Sequence, residues 1–115
     1  MIKKRNFSEV TLEPVNMAGA SNAGIRWLIS EKDGAPTFAL RMFELEKGGC
    51  TPYHSHTWEH EVFALEGTGA VVGEEGELSL NPGDVAFVPG NDEHNFINKG
   101  DKVFKFLCII PIPKK

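Results

Sequence analysis

Turn-forming clusters punctuate this chain at short intervals: EKDGAP (31–36), EKGG (46–49), EGTG (66–69), GEEGE (73–77), NPGD (81–84), PGND (89–92) and NKGD (98–101). Between them lie short segments rich in Val, Ile, Phe and Leu: IRWLIS, TFALRMFELE, HEVFALE, GAVV, LSL, VAFVP, HNFIN and KVFKFLCII. No stretch keeps a helical period for the about 10–15 residues that a crossover helix needs. The pattern predicts an all-β sandwich or barrel. Only SNAGIRW (21–27) admits a turn of helix. At 115 residues, without linker, repeat or low-complexity tract, the chain reads as a single domain over 1–115.

Alternation along the longest segments says what the strands face. In VFKFLCII one face carries Phe104, Phe106, Cys108 and Ile110, and the other Val103, Lys105, Leu107 and Ile109. In TFALRMFELE one face carries Phe38, Leu40 and Met42, and the other Ala39, Arg41, Phe43 and Leu45. Both faces are largely apolar, whereas a sheet with one wet face alternates apolar with polar. One face fills the barrel, and the other needs a cover. In a chain this small the expected cover is a second copy, which predicts a homodimer.

Composition excludes several classes. Apolar residues make up 41% and charged residues 24%, as in ordinary globular domains. A net charge of −4, a pI near 5.5 and the absence of a basic stripe argue against nucleic acid as partner. KKR at 3–5 is followed by NFSEVTLEPV, which has no apolar core of the kind a signal peptide requires. The longest apolar run, FLCII at 106–110, is too short to span a bilayer. A soluble cytoplasmic protein with no membrane partner is expected. Two cysteines make no disulfide framework, and Cys108, inside an apolar run, reads as a buried thiol.

Residues 54–61 read HSHTWEHE and hold three of the four histidines; the fourth, His94, opens HNFIN just after a turn. On an extended segment His54 and His56 leave the same face, side by side. Adjacent loops can bring all four to one end of a barrel. Trp58 reads as a packing anchor, Glu59 as solvated, and Gly67, Gly83, Pro89 and Gly90 as turn residues.

These residues resemble the cupins, small jelly-roll barrels with a metal inside. The first cupin motif is a Gly, five residues, His-x-His, three or four residues, Glu, then about six residues and a Gly. Here it runs from Gly48 through His54, His56 and Glu61 to Gly67. The second is a Gly, five residues, Pro-x-Gly, two residues, His, three residues and Asn. It runs here from Gly83 through Pro89, Gly90, Asn91 and His94 to Asn98. The departures are one residue fewer before Gly67, and Asn91 where Gly is usual. Asn tolerates left-handed backbone, so the turn is expected to survive. The motifs cover 48–67 and 83–98. The chain is also similar to a narrower group, small cupins that bind manganese through four histidines.

The resemblance implies a cupin-type jelly-roll barrel holding one divalent ion. The general spacing admits His60 or Glu61 beside His54, His56 and His94. Parity favours His60, which shares a strand face with Val62 and Ala64, while Glu61 shares one with Phe63 and Leu65. The smaller face leaves room for an ion, and the narrower resemblance points the same way. Imidazoles suit Zn, Cu, Fe and Ni, whereas the resemblance favours Mn.

The last long strand is expected against the metal end, which makes Phe106 and Cys108 candidates for the substrate pocket. Arg41, on a mostly apolar face, either snorkels at a rim or points into the cavity. Four neutral imidazoles leave the ion its full charge, suited to stabilising developing negative charge. The expectation is a metal-dependent, dioxygenase-like oxidoreductase acting on a small oxygen-rich or unsaturated molecule. A non-redox isomerase, epimerase or lyase, or a non-catalytic small-molecule-binding cupin, is the alternative.

Overall fold

The computed structural model describes residues 1–113. Nine strands follow in order: β1 (Glu13–Pro14), β2 (Ser21–Ile29), β3 (Phe38–Cys50), β4 (His60–Glu66), β5 (Gly69–Gly73), β6 (Gly76–Leu80), β7 (Val85–Val88), β8 (His94–Asn98) and β9 (Phe104–Pro111). Two short 3-10 turns, Phe7–Glu9 and Glu31–Asp33, account for the helical residues, each capped at its start by the side chain of Asn6 or Ser30. All pairings are antiparallel, and the strands are ordered β6-β5-β8-β3-β9-β4-β7, with β2 added outside β3 and β1 outside β2. The sheet curls into a nearly closed barrel, as a jelly roll does. None of the described helices is long and apolar enough to cross a membrane.

SNAGIRW is strand and not helix. Its alternation is broken by bulges between Ser21 and Ala23 and between Trp27 and Ile29, with Asn22 at φ 47°. EKGG, expected to end a strand, is a bend inside β3. Gly48 takes φ 77° there, and the strand resumes to pair Cys50 with Ile97 of β8. β3 therefore spans both halves of the barrel.

The inward residues stack in rows read from the register of β3, β9 and β4. Leu45 lies opposite Phe104; next come Phe43, Phe106 and Ala64; then Arg41, Cys108 and Val62. At the open end Ala39 pairs with Ile110, where His60 begins β4. Phe104, Phe106, Leu45 and Cys108 are completely buried, and Phe43 stacks on Phe106 at 5.1 Å between ring centroids. Each such aromatic side chain contributes about 1.5–3 kcal/mol through burial. The core thus occupies one end of the barrel and leaves the other to polar side chains.

Candidate metal centre

The segment between β3 and β4 is irregular, and hydrogen bonds to β8 hold it. Thr51 donates its N–H to the Phe96 carbonyl at 2.9 Å, and its Oγ1 accepts the Phe96 N–H at 2.9 Å. Asn95 Nδ2 donates to the Thr51 carbonyl at 3.1 Å. His54 and His94 then exchange a backbone pair at 3.1 and 3.0 Å, forming a lone bridge and not a regular strand. Asn91, at φ 71°, donates its N–H to the His56 carbonyl at 2.6 Å. The expected left-handed turn is therefore present, and it clips the second motif onto the first. Gly90 is required beside it, because a Cβ there would collide with the Thr57 carbonyl oxygen.

These clips bring the four imidazoles together at the open end. Ring centroids stand 5.1 Å apart for His54 and His56, 5.5 Å for His54 and His94, and 5.2 Å for His56 and His94. His60 stands 4.7 Å from His56 and 5.0 Å from His94. Each of His54, His56 and His94 offers a nitrogen within 4.8 Å of the other two. His56 and His94 donate Nδ1–H to the carbonyls of Trp58 and Asp92, both at 2.8 Å, which leaves the Nε2 lone pairs for the cluster. Converging ring nitrogens of this kind are what a cation satisfies. The three-histidine cluster can hold a metal ion.

His60 adjoins that cluster through its Nε2, 2.9 Å from Nε2 of His56. A proton or a cation must lie between two ring nitrogens this close. His60 stands outside the set of three whose nitrogens all lie within 4.8 Å of one another, and it joins the cluster through His56. Its Nδ1 faces Cys108 Sγ at 3.1 Å and Arg41 Nη2 at 3.3 Å. Burial, followed by the Arg41 charge and the neighbouring imidazoles, holds the His60 pKa down to about 3. Burial likewise lowers His54 and His56. All three stay neutral near pH 7, the form that binds metal.

Other side chains fall as follows. Glu61 is exposed on the outer face of β4, opposite in direction to buried His60. Arg41 points inward, 8% exposed, and donates to Cys108 Sγ at 3.0 Å, which resolves its two expected positions in favour of the interior. Cys108 touches His60, whereas Phe106 lies a row deeper and its ring meets Phe43, Phe96 and Phe104. Trp58 stacks on His56 at 4.2 Å and 6°, so it packs directly on the cluster. Asn98 secures backbone away from the site, donating to the carbonyls of Leu45 at 2.9 Å and Lys102 at 2.8 Å. Phe96 was absent from the sequence expectations, yet its ring stands 6.3 Å from His60 and 6.0 Å from His94. Its signal was alternation, since it lies two residues after His94.

Comparison with known proteins follows this geometry. The family model described as a cupin domain matches residues 41–110. Glucose-6-phosphate isomerase of Thermococcus litoralis is 35% identical over 96 residues, covering 70% of this chain and 49% of its own length. The 1-methylthio-D-xylulose 5-phosphate methylsulfurylase of Rhodospirillum rubrum is 31% identical over 74 residues, covering 64% of this chain and 47% of its own. This chain thus spans about half the length of these curated relatives. The solved structure of the polyketide cyclase RemF from Streptomyces resistomycificus superposes with a TM-score of 0.91 at 34% identity, over 96% of this chain and 80% of that one.

Proposed function

The chain belongs to the cupin family, and from that premise we propose a metal-dependent enzyme that rearranges a small, oxygen-rich, anionic molecule without net oxidation. The convergence of three histidine nitrogens, two of them freed by the Nδ1–H bonds of His56 and His94, carries this reading. His54, His56, His60 and His94 would hold one divalent ion, with manganese proposed from the resemblance and Zn, Fe, Ni or Cu compatible with imidazole. When bound, such an ion supplies Lewis-acid stabilisation of negative charge developing on a substrate oxygen. The chain would keep that charge undiminished, because imidazole binds metal as a neutral ligand and Glu61 faces outward. Trp58 flattens one wall against His56, and Phe96 closes the floor behind His60 and His94. Together they hold the imidazoles of His56, His60 and His94 in place.

The relatives move the non-redox alternative ahead of the dioxygenase-like one. Isomerisation and cyclisation need no external oxidant, and both curated relatives carry a phosphorylated sugar in their names. A test compares zinc-loaded and manganese-loaded protein on a panel of aldose and ketose phosphates, with an oxygen electrode in the cell. The non-redox reading expects turnover with either ion and no oxygen uptake. Oxygen uptake that zinc abolishes would replace it with the oxidoreductase reading.

A further inference from the structure

Arg41 is a charged side chain inside an apolar barrel with no anion to meet it. It is 8% exposed, and its Nε is buried without a hydrogen-bond partner. Among the described residues no carboxylate stands within ion-pair distance of it. Its Nη2 donates to a thiol sulfur, and its guanidinium carbon lies 5.5 Å from the Trp27 ring and 4.9 Å from the Phe43 ring. A thiol sulfur is a weak hydrogen-bond acceptor and supplies no full counter-charge. Ring faces attract a cation, but they do not neutralise it.

A lone guanidinium removed from water is costly, and a domain retains one where it is used. Register shows where that use lies. Arg41, Cys108 and Val62 form the row directly beneath Ala39, Ile110 and the start of β4 at His60. Ala39 places only a methyl group above Arg41 on its own strand. Arg41 Nη2 is 3.3 Å from the Nδ1 of His60, whose other nitrogen faces the cluster. The guanidinium therefore lies one imidazole away from the cluster, with His60 between them.

We propose that Arg41 is the specificity-determining residue of this pocket and receives an anionic oxygen, carboxylate or phosphoryl, of the substrate held at the histidine cluster. The proposal rests on the metal-centre reading for its geometry and adds the substrate's charge to it. A guanidinium presents a planar fork that matches such oxygens better than an ammonium does. The terminal N–H groups that Cys108 and His60 do not engage are then the donors left for the ligand, and a small turn of the side chain would bring the orphaned Nε into the same fork.

The test is calorimetric titration with oxalate and, separately, inorganic phosphate. Wild type, Arg41→Lys and Arg41→Met are compared, with metal content measured first. Wild type should bind at least one anion, and the stronger of the two identifies the source as carboxylate or phosphoryl. Arg41→Met should weaken that binding tenfold or more at unchanged metal content, and Arg41→Lys by less. Without ligand, Arg41→Met should melt at or above the wild-type temperature, because it removes an uncompensated buried charge and keeps the bulk. Equal anion binding by wild type and Arg41→Met overturns the proposal, as does failure of metal-loaded wild type to bind either anion. A melting temperature well below wild type with unchanged binding makes Arg41 a structural residue. Should Arg41→Met not fold, Arg41→Gln takes its place in the same comparison. A wild type that holds no metal counts against the metal reading alone. The titrations are then run on metal-free protein, where the guanidinium should still separate wild type from Arg41→Met.

Discussion

His60 and Glu61 are adjacent in the chain and opposite in environment, one buried against the imidazoles of His56 and His94 and the other exposed. Replacing His60 with Ala should weaken metal retention by about one to two orders of magnitude, as for a direct ligand. Glu61→Gln should leave metal content near normal; equilibrium dialysis separates the two outcomes. Acid should act through the same imidazole. Its pKa is about 3 in the folded chain against an ordinary 6.5, so the unfolded chain binds the proton first as pH falls. Stability of metal-free protein should therefore decline from about pH 6.5 toward pH 4, and His60→Asn should flatten that decline in thermal melts at several pH values. A slope identical to wild type would assign the acid sensitivity to other groups. At this scale the sequence was legible wherever parity sufficed: it separated His60 from Glu61. It could not orient Arg41, because both faces of β3 are apolar and parity names a face without saying which one is inside. Phe96 was overlooked because an apolar residue in a strand carries no chemical signal until its neighbours are known.

Strands and turns place these residues, and the turns carry more of the burden. Asn91 fastens the second motif to the His56 carbonyl, and Gly90 lets the turn pass close against the Thr57 carbonyl. Gly90→Ala should cost about 1–3 kcal/mol in urea denaturation, the range for a forced backbone shift, and should loosen metal binding by displacing His56. Asn91→Gly should be nearly silent in both measurements, since Gly adopts φ 71° at least as readily. A silent Gly90→Ala would mean that the loop is not tightly held. The long alternating runs that became β3 and β9 were readable because each keeps period two over many residues. β2 was ambiguous because two bulges break its period, and the bend at Gly48 resembled a turn because local sequence does not reveal that Cys50 finds Ile97. Pairing across the barrel decides such cases, and pairing is nonlocal.

For the whole molecule, the outer face of β9, β4 and β7 leaves Phe63, Val85, Phe87 and Ile109 exposed at 44, 72, 62 and 38%. With Leu40 and Leu107 they line one shallow groove of about 410 Å³. Apolar surface grouped this way marks an interaction site more often than bare solvent. The proposed cover is a second copy. Light scattering should give about twice the 12.7 kDa chain mass, and Phe87→Glu should return it to one. A wild-type monomer at micromolar concentration would remove this proposal without touching the metal centre. That centre is the central claim, and metal stoichiometry tests it most directly. Elemental analysis after dialysis against a slight excess of manganese, and separately zinc, should find one ion per chain in wild type and far less in His94→Ala. No ion retained by wild type, or equal retention by His94→Ala, would contradict the account.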